Sequence, residues 1–69
     1  MTTLPKVCER GASFRVDYGK KGLKARVWHV RGVVDGRAVC RTWQAPMWSY
    51  ELHPASFFFL SGHRVTWLT

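Results

Sequence analysis

His29, His53 and His63, with Cys8 and Cys40, are the residues of this chain best suited to hold a metal or act as a nucleophile or base. A structural zinc site draws its ligands from pairs at short spacing, such as C-x-x-C. No such pair occurs, so no metal is expected. Nucleophilic catalysis needs a nucleophile, a base and a group that orients the base. No Ser-His-Asp or Cys-His arrangement of that kind stands out. Glu51 and His53 stand two residues apart on one side of a strand, within reach of each other, and read as two solvent-facing residues. A chain of 69 residues seldom encloses the water-excluding pocket that catalysis uses. The expectation is a protein that is not an enzyme and takes no cofactor.

Charge points instead to binding. Lys and Arg number 11 against 4 Asp and Glu, for a net charge of +7. Most of these cations lie between Arg15 and Arg41. Such a field attracts polyanions and speeds their association. Gly19-Lys20-Lys21-Gly22 matches the G-x-x-G loop with which KH domains clamp a nucleic-acid backbone. A KH loop joins helices, however, and the flanks here alternate like strands, so the four residues form a basic turn whose lysines reach phosphate. Lys24, Arg26, Trp28, Arg31, Arg41 and Trp43 interleave cations with aromatics. Nucleic-acid-binding barrels use that mixture, with cations along the phosphates and rings under the bases. Trp28 and Trp43 read as a buried cross-strand pair, which would put the charges and the tryptophans on different faces.

A second aromatic set, Trp48, Tyr50, Phe57, Phe58, Phe59 and Trp67, follows in the C-terminal third. Three consecutive phenylalanines cannot all enter one small core, so at least one points outward. Trp48, Tyr50 and Phe57–Phe59 are the candidate anchors for a protein partner or for a homodimer.

The elements that would position these groups are short strands. Residues 1–12 read as a loose arm or a short first strand, and residues 13–69 as a single small β-barrel domain. Ser13 to Asp17 alternates, with Phe14 and Val16 on one side. The Val-rich run Leu23 to Val34 follows, and its apolar phase shifts after Val27, which suggests a bulge or a change of covering layer. Asp35-Gly36 is a type I′ hairpin turn. A regular hairpin around it pairs Val34 with Arg37, Val30 with Arg41 and Trp28 with Trp43. That places Trp28, Val30, Val34, Val39 and Trp43 on the core face and His29, Arg31, Val33, Ala38, Cys40 and Thr42 on the other, with Arg41 snorkelling at the edge of the core. Met47 to Leu52 alternates again, with Trp48, Tyr50 and Leu52 on one face. Pro54 to Gly62 fits a short helical turn near 54–60, with a buried strand over Phe57 to Leu60 as the competing reading. Arg64 to Leu68 is a last strand.

The fold class is therefore all-β: a small SH3-like or OB-like barrel, or a strongly bent antiparallel sheet, with at most one short helical turn. The turn before the final strand favours the SH3-like form. Met1 to Gly11 has no apolar signal region, and no run is long enough to span a bilayer, so a cytoplasmic location with reduced thiols is expected. In size, charge and β-rich pattern the chain resembles short basic accessory proteins of bacteriophages and mobile elements.

Nucleic-acid binding with limited sequence preference, to DNA or RNA, is the leading functional expectation. Lys20, Lys21, Lys24, Arg26, Arg31 and Arg41 are its candidate contacts. The alternative is a module that docks on an acidic host protein through its aromatic patch, steered by the basic face.

Overall fold

The computed structural model describes residues 3–19, 24–59 and 62–68. It contains five strands: β1 (Ser13–Asp17), β2 (Arg26–Val34), β3 (Arg37–Gln44), β4 (Met47–Pro54) and β5 (Arg64–Trp67). A 3-10 turn, Ala55–Phe59, lies between β4 and β5 and is the only helical segment among the described residues. The strands form one antiparallel sheet in the order β4-β3-β2-β1-β5. The mostly-β class expected from alternation and turn spacing is the one observed. Lys20, Lys21, Gly22 and Leu23, in the basic turn and at the expected start of the second strand, lie outside the described residues, as does Leu60.

Local sequence explains the framework. In β1, Phe14 and Val16 are fully buried while Arg15 between them is exposed, the period-2 signature of a strand covered on one side. The β2–β3 hairpin turns on Asp35 and Gly36, whose φ values of 50° and 71° are both positive. A type I′ turn requires that pair of conformations, and its twist matches the strands it joins.

The hairpin is not regular. Val34 pairs with Arg37, Val33 with Ala38 and Gly32 with Val39, but the next pair is Val30 with Cys40, so Arg31 is an extra residue. A one-residue slip turns every side chain beyond it to the opposite face of one strand relative to its partner. This corrects the regular pairing. Val30 lies opposite Cys40, with His29 opposite Arg41. The core face of β3 is Ala38, Cys40 and Thr42, all buried, and not Val39 and Trp43. Val34 is exposed as well. Trp28 and Trp43 do not form a buried pair: Trp28 is 3% exposed and Trp43 is 54% exposed. The expected bulge exists, but it sits at Arg31 and not next to Val27.

The core lies on the inner side of the sheet. Phe14 is its hub, with ring centroids 5.2 Å from Phe58, 5.1 Å from Trp67 and 6.3 Å from Phe57. Val16, Trp28, Val30, Ala38 and Cys40 complete its floor. The buried Thr42 hydroxyl donates to the Val27 carbonyl at 2.7 Å. That bond satisfies a polar group that would otherwise cost on the order of 1–3 kcal/mol when buried. The 3-10 turn covers the inner face, and Phe57 stacks on His53 at 4.0 Å. His53 is buried, which corrects its reading as a solvent-facing residue, while Glu51 stays exposed 3.7 Å away.

Among the described residues before β1 there is no strand. This segment packs Leu4, Cys8 and Ala12 against the core. Its backbone is tied to β2 by Gly11 N–H to the Val30 carbonyl (3.0 Å) and by Val30 N–H to the Ala12 carbonyl (2.8 Å).

Candidate functional site

Cross-strand partners share a face of the sheet, so the register defines what the outer face presents. Trp43 stands opposite Trp48, Arg41 opposite Tyr50 and Val39 opposite Leu52. On the other flank of β3, His29 stands opposite Arg41. The outer face of β2, β3 and β4 therefore carries His29, Arg41, Trp43, Trp48, Tyr50 and Leu52 together. Trp43, Trp48, Tyr50 and Leu52 are all exposed. The cations and the tryptophans do not lie on different faces: Arg41, Trp43 and Trp48 share this one, because the bulge at Arg31 turned the odd-numbered residues of β3 outward.

The rings are organised around Trp48. The Arg41 guanidinium carbon lies 4.1 Å from the centroid of its ring. Trp43 forms an edge-to-face pair with it at 5.3 Å, and His29 does so at 5.9 Å. His29 is held in turn by Ser13, Oγ to Nδ1 at 2.9 Å. A guanidinium over an indole face is attracted by the ring's electron-rich surface, and its planar fork keeps donors free at the edge. Arg41 Nε is buried without a hydrogen-bond partner among the described residues.

Two recesses flank this cluster and share His29. The smaller, of about 230 Å³, is lined by Gly11, Ser13, His29, Arg31, Arg41 and Trp48, among others. The larger is an open groove of about 740 Å³ where β2 begins and β3 ends, lined by Tyr18, Lys24, Arg26, Val27, His29 and Trp43, among others. Arg26 belongs to the inner phase of β2, yet its guanidinium reaches this end of the sheet. It donates to the Gln44 side-chain carbonyl at 3.1 Å, and the Gln44 amide nitrogen donates to Ser49 Oγ at 2.6 Å. A guanidinium has only donors, so it is the carbonyl side of the amide that faces it.

The candidate contacts divide by position. Arg31 at the bulge and Lys24 ahead of β2 are exposed, Arg26 and Arg41 are half-buried, and Lys20 and Lys21 lie outside the described residues. Trp48 and Tyr50 sit on the outer face. Phe57 and Phe58 are half-buried against the core, and Phe59 is 62% exposed on the 3-10 turn. The five aromatic anchors are therefore divided between two sides of the sheet. His29 joins the site without having been singled out for it, and so does Trp43, which was grouped with these cations but read as half of a buried pair. The signal that pointed to them was Arg41: a regular hairpin buried a guanidinium, and a bulge relieved that conflict.

The buried titratable groups lie on the inner side, away from this cluster. Burial pushes the Cys40 thiol up to about 12, helped by the neighbouring Cys8 and Glu51, and burial also raises Cys8. Both cysteines are free. Burial lowers His53, against a smaller upward pull from Glu51. Among the described residues no helix is long and apolar enough to cross a membrane.

No protein-family model, curated protein or solved structure matches the chain.

Proposed function

We propose that this chain is a nucleic-acid-binding module that uses the outer face of β2, β3 and β4, with limited sequence preference. The observation that carries the reading is the placement of Arg41, Trp43 and Trp48 on one exposed face, between recesses lined by Arg31 and by Lys24 and Arg26. Cations there neutralise phosphates, and exposed rings offer stacking surfaces that every base can use. Lys20 and Lys21, which follow Gly19 in the chain, are further candidate contacts. The net charge of +7 adds a long-range field of the right sign. The strand order and the 3-10 turn before β5 support an SH3-like barrel as the scaffold.

A charge-reversed protein, Lys24→Glu with Arg31→Glu, tests the reading. Both side chains are exposed, so the fold is expected to survive. Affinity for a generic oligonucleotide falls, and its dependence on salt flattens because fewer counterions are released on binding. Unchanged affinity and unchanged slope would count against this face.

Leu52 and Val39, paired on the same face beside Tyr50, favour one alternative: a protein-interaction module of the phage-accessory kind, docking on an acidic host protein. Tyr50 and Trp48 are its anchors, and the basic recesses steer the encounter. Salt-sensitive binding to generic nucleic acid separates the two readings.

A further inference from the structure

We propose that the ligand of this face is a single strand, whose unpaired bases stack on Trp43 and Tyr50 while its phosphates occupy the two recesses on either side of His29. The inference rests on the nucleic-acid reading above and narrows it from polyanion to unpaired strand.

Three observations carry it. The first is which ring surfaces are open. Trp43 is 54% exposed and Tyr50 is 58% exposed. Trp48 is different: the Arg41 guanidinium covers one of its faces at 4.1 Å, and the Trp43 and His29 rings pack against it at steep angles, their centroids 5.3 and 5.9 Å away. Trp48 is thus a positioning residue that holds Arg41 in place, and Trp43 and Tyr50 are the stacking surfaces. A duplex keeps its base faces inside the stack, so open rings on a sheet face gain nothing from it, whereas unpaired bases expose a π-face to any ring they meet.

The second observation is the arrangement of donors around those rings. Arg31 and Arg41 converge on the smaller recess, and Arg41 brings an Nε with no partner among the described residues. Lys24 and Arg26 line the larger groove, with Trp43 on its wall. Arg26 and Arg31 stand five positions apart on β2, at most about 17 Å along the strand at roughly 3.3 Å per residue. Cation-lined recesses with exposed rings beside them, Trp43 on the larger groove and Tyr50 across from Arg41, fit a backbone that crosses the strands while its bases turn down onto the sheet.

The third is the absence of acid from this stretch. Among the described residues of β2 and β3, and at Lys24 and Ala25 ahead of β2, no Asp or Glu occurs. The acidic residues nearest in sequence, Asp17 and Asp35, fall at the end of β1 and in the hairpin turn; Asp17 is paired with Arg15 at 3.5 Å.

The experiment compares three probes of equal length at one ionic strength: single-stranded oligothymidylate, the same strand made of abasic sites, and a blunt DNA duplex. Binding is read by fluorescence anisotropy of labelled probes. The expected result is that oligothymidylate binds at least about tenfold tighter than the abasic strand and the duplex. Trp43→Ala brings it down to the abasic level, and Trp43→Phe restores most of the difference. Circular dichroism and the thermal midpoint of Trp43→Ala match the parent, since the ring lies outside the core. Equal or tighter binding of the duplex overturns the single-strand inference and leaves nucleic-acid binding standing. Equal binding of the abasic strand overturns base stacking in the same way. Failure of all three probes to bind at low salt overturns both the inference and the reading beneath it.

Discussion

The Arg41 guanidinium lies over the Trp48 ring, its carbon 4.1 Å from the ring centroid, and the two residues come from adjacent strands. Neither residue is in the core, so their attraction is partly exposed and worth on the order of 0.5–2 kcal/mol. A double-mutant cycle on Arg41→Gln and Trp48→Leu, measured by urea unfolding, should return a coupling energy in that range. Both single variants should also weaken oligonucleotide binding, Trp48→Leu because it leaves Arg41 unheld. Additive stability effects would show that the contact is incidental.

Trp28 and Trp43 should behave oppositely. Trp28→Ala removes a buried indole from a small core and should cost about 3–5 kcal/mol, enough to unfold much of a domain whose whole stability is of the order of 5–15 kcal/mol. Trp43→Ala should change stability by less than about 1 kcal/mol. Chemical denaturation of the two variants checks this. Equal losses would mean that the two rings share the core after all.

His53 should make stability depend on pH. Burial holds its pKa below the ordinary value, so the unfolded chain takes up the proton more readily than the folded one. Stability is then fully present above about pH 6.5, where both states are neutral. It falls as pH drops through that value and levels off below the folded pKa, with a slope of at most about 1.4 kcal/mol per pH unit. Urea midpoints between pH 7.5 and 5 should decline in the parent and decline less in His53→Phe, which keeps a ring against Phe57. An identical decline in both would assign the effect to other groups.

Cys8 and Cys40 should be inert in the folded protein. The Cys40 thiol is pushed up to about 12 and Cys8 is raised as well. The thiolate is the reactive form, and both residues are buried. Labelling with a thiol-specific chromogenic disulfide at pH 8 should be slow under native conditions and fast in denaturant. Rapid native labelling of either cysteine would show that its site opens.

Gly19 joins β1 to the start of β5 by close approach. Its φ is 69°, and a Cβ there would lie 2.8 Å from the Gly62 carbonyl oxygen. Gly19→Ala should therefore destabilise by at least about 1 kcal/mol, through both the left-handed backbone and the contact. Gly36→Ala, at a positive φ but in open space, should cost less. A reversed order in thermal midpoints would contradict the approach of the two segments.

Much of the scaffold was legible because its rules are local. Phe14 and Val16 announced β1 by alternation, Asp35-Gly36 announced the hairpin by its tolerance of positive φ, and Pro54 and Gly62 bracketed the 3-10 turn. The site was less legible because it depends on one non-local count. The apolar phase of β2 showed that a bulge was needed, but the pairing partner decides where it falls, and β3 is ambiguous by itself: Ala38, Cys40 and Thr42 are small enough to be buried, while Val39 and Trp43 are apolar enough. Only the awkward guanidinium of Arg41 on the assumed core face told against the regular register. Moving the extra residue to Arg31 exchanged the two faces of β3 and brought Arg41, Trp43 and Trp48 together. The run Phe57–Phe59 shows a second limit. Its composition required one ring to point outward but could not say which, and Phe59 is the exposed one because Phe57 and Phe58 meet Phe14.

The most direct test of the outer face as a nucleic-acid site is a two-dimensional ¹H–¹⁵N spectrum that follows the indole N–H signals of the tryptophans during titration with single-stranded oligothymidylate at low salt. The account predicts that the Trp43 and Trp48 indole signals move, with backbone shifts along Lys24, Arg26, Arg31 and Arg41, while the buried Trp28 stays in place. A spectrum that does not change, or shifts confined to Phe59 and the 3-10 turn, would contradict it.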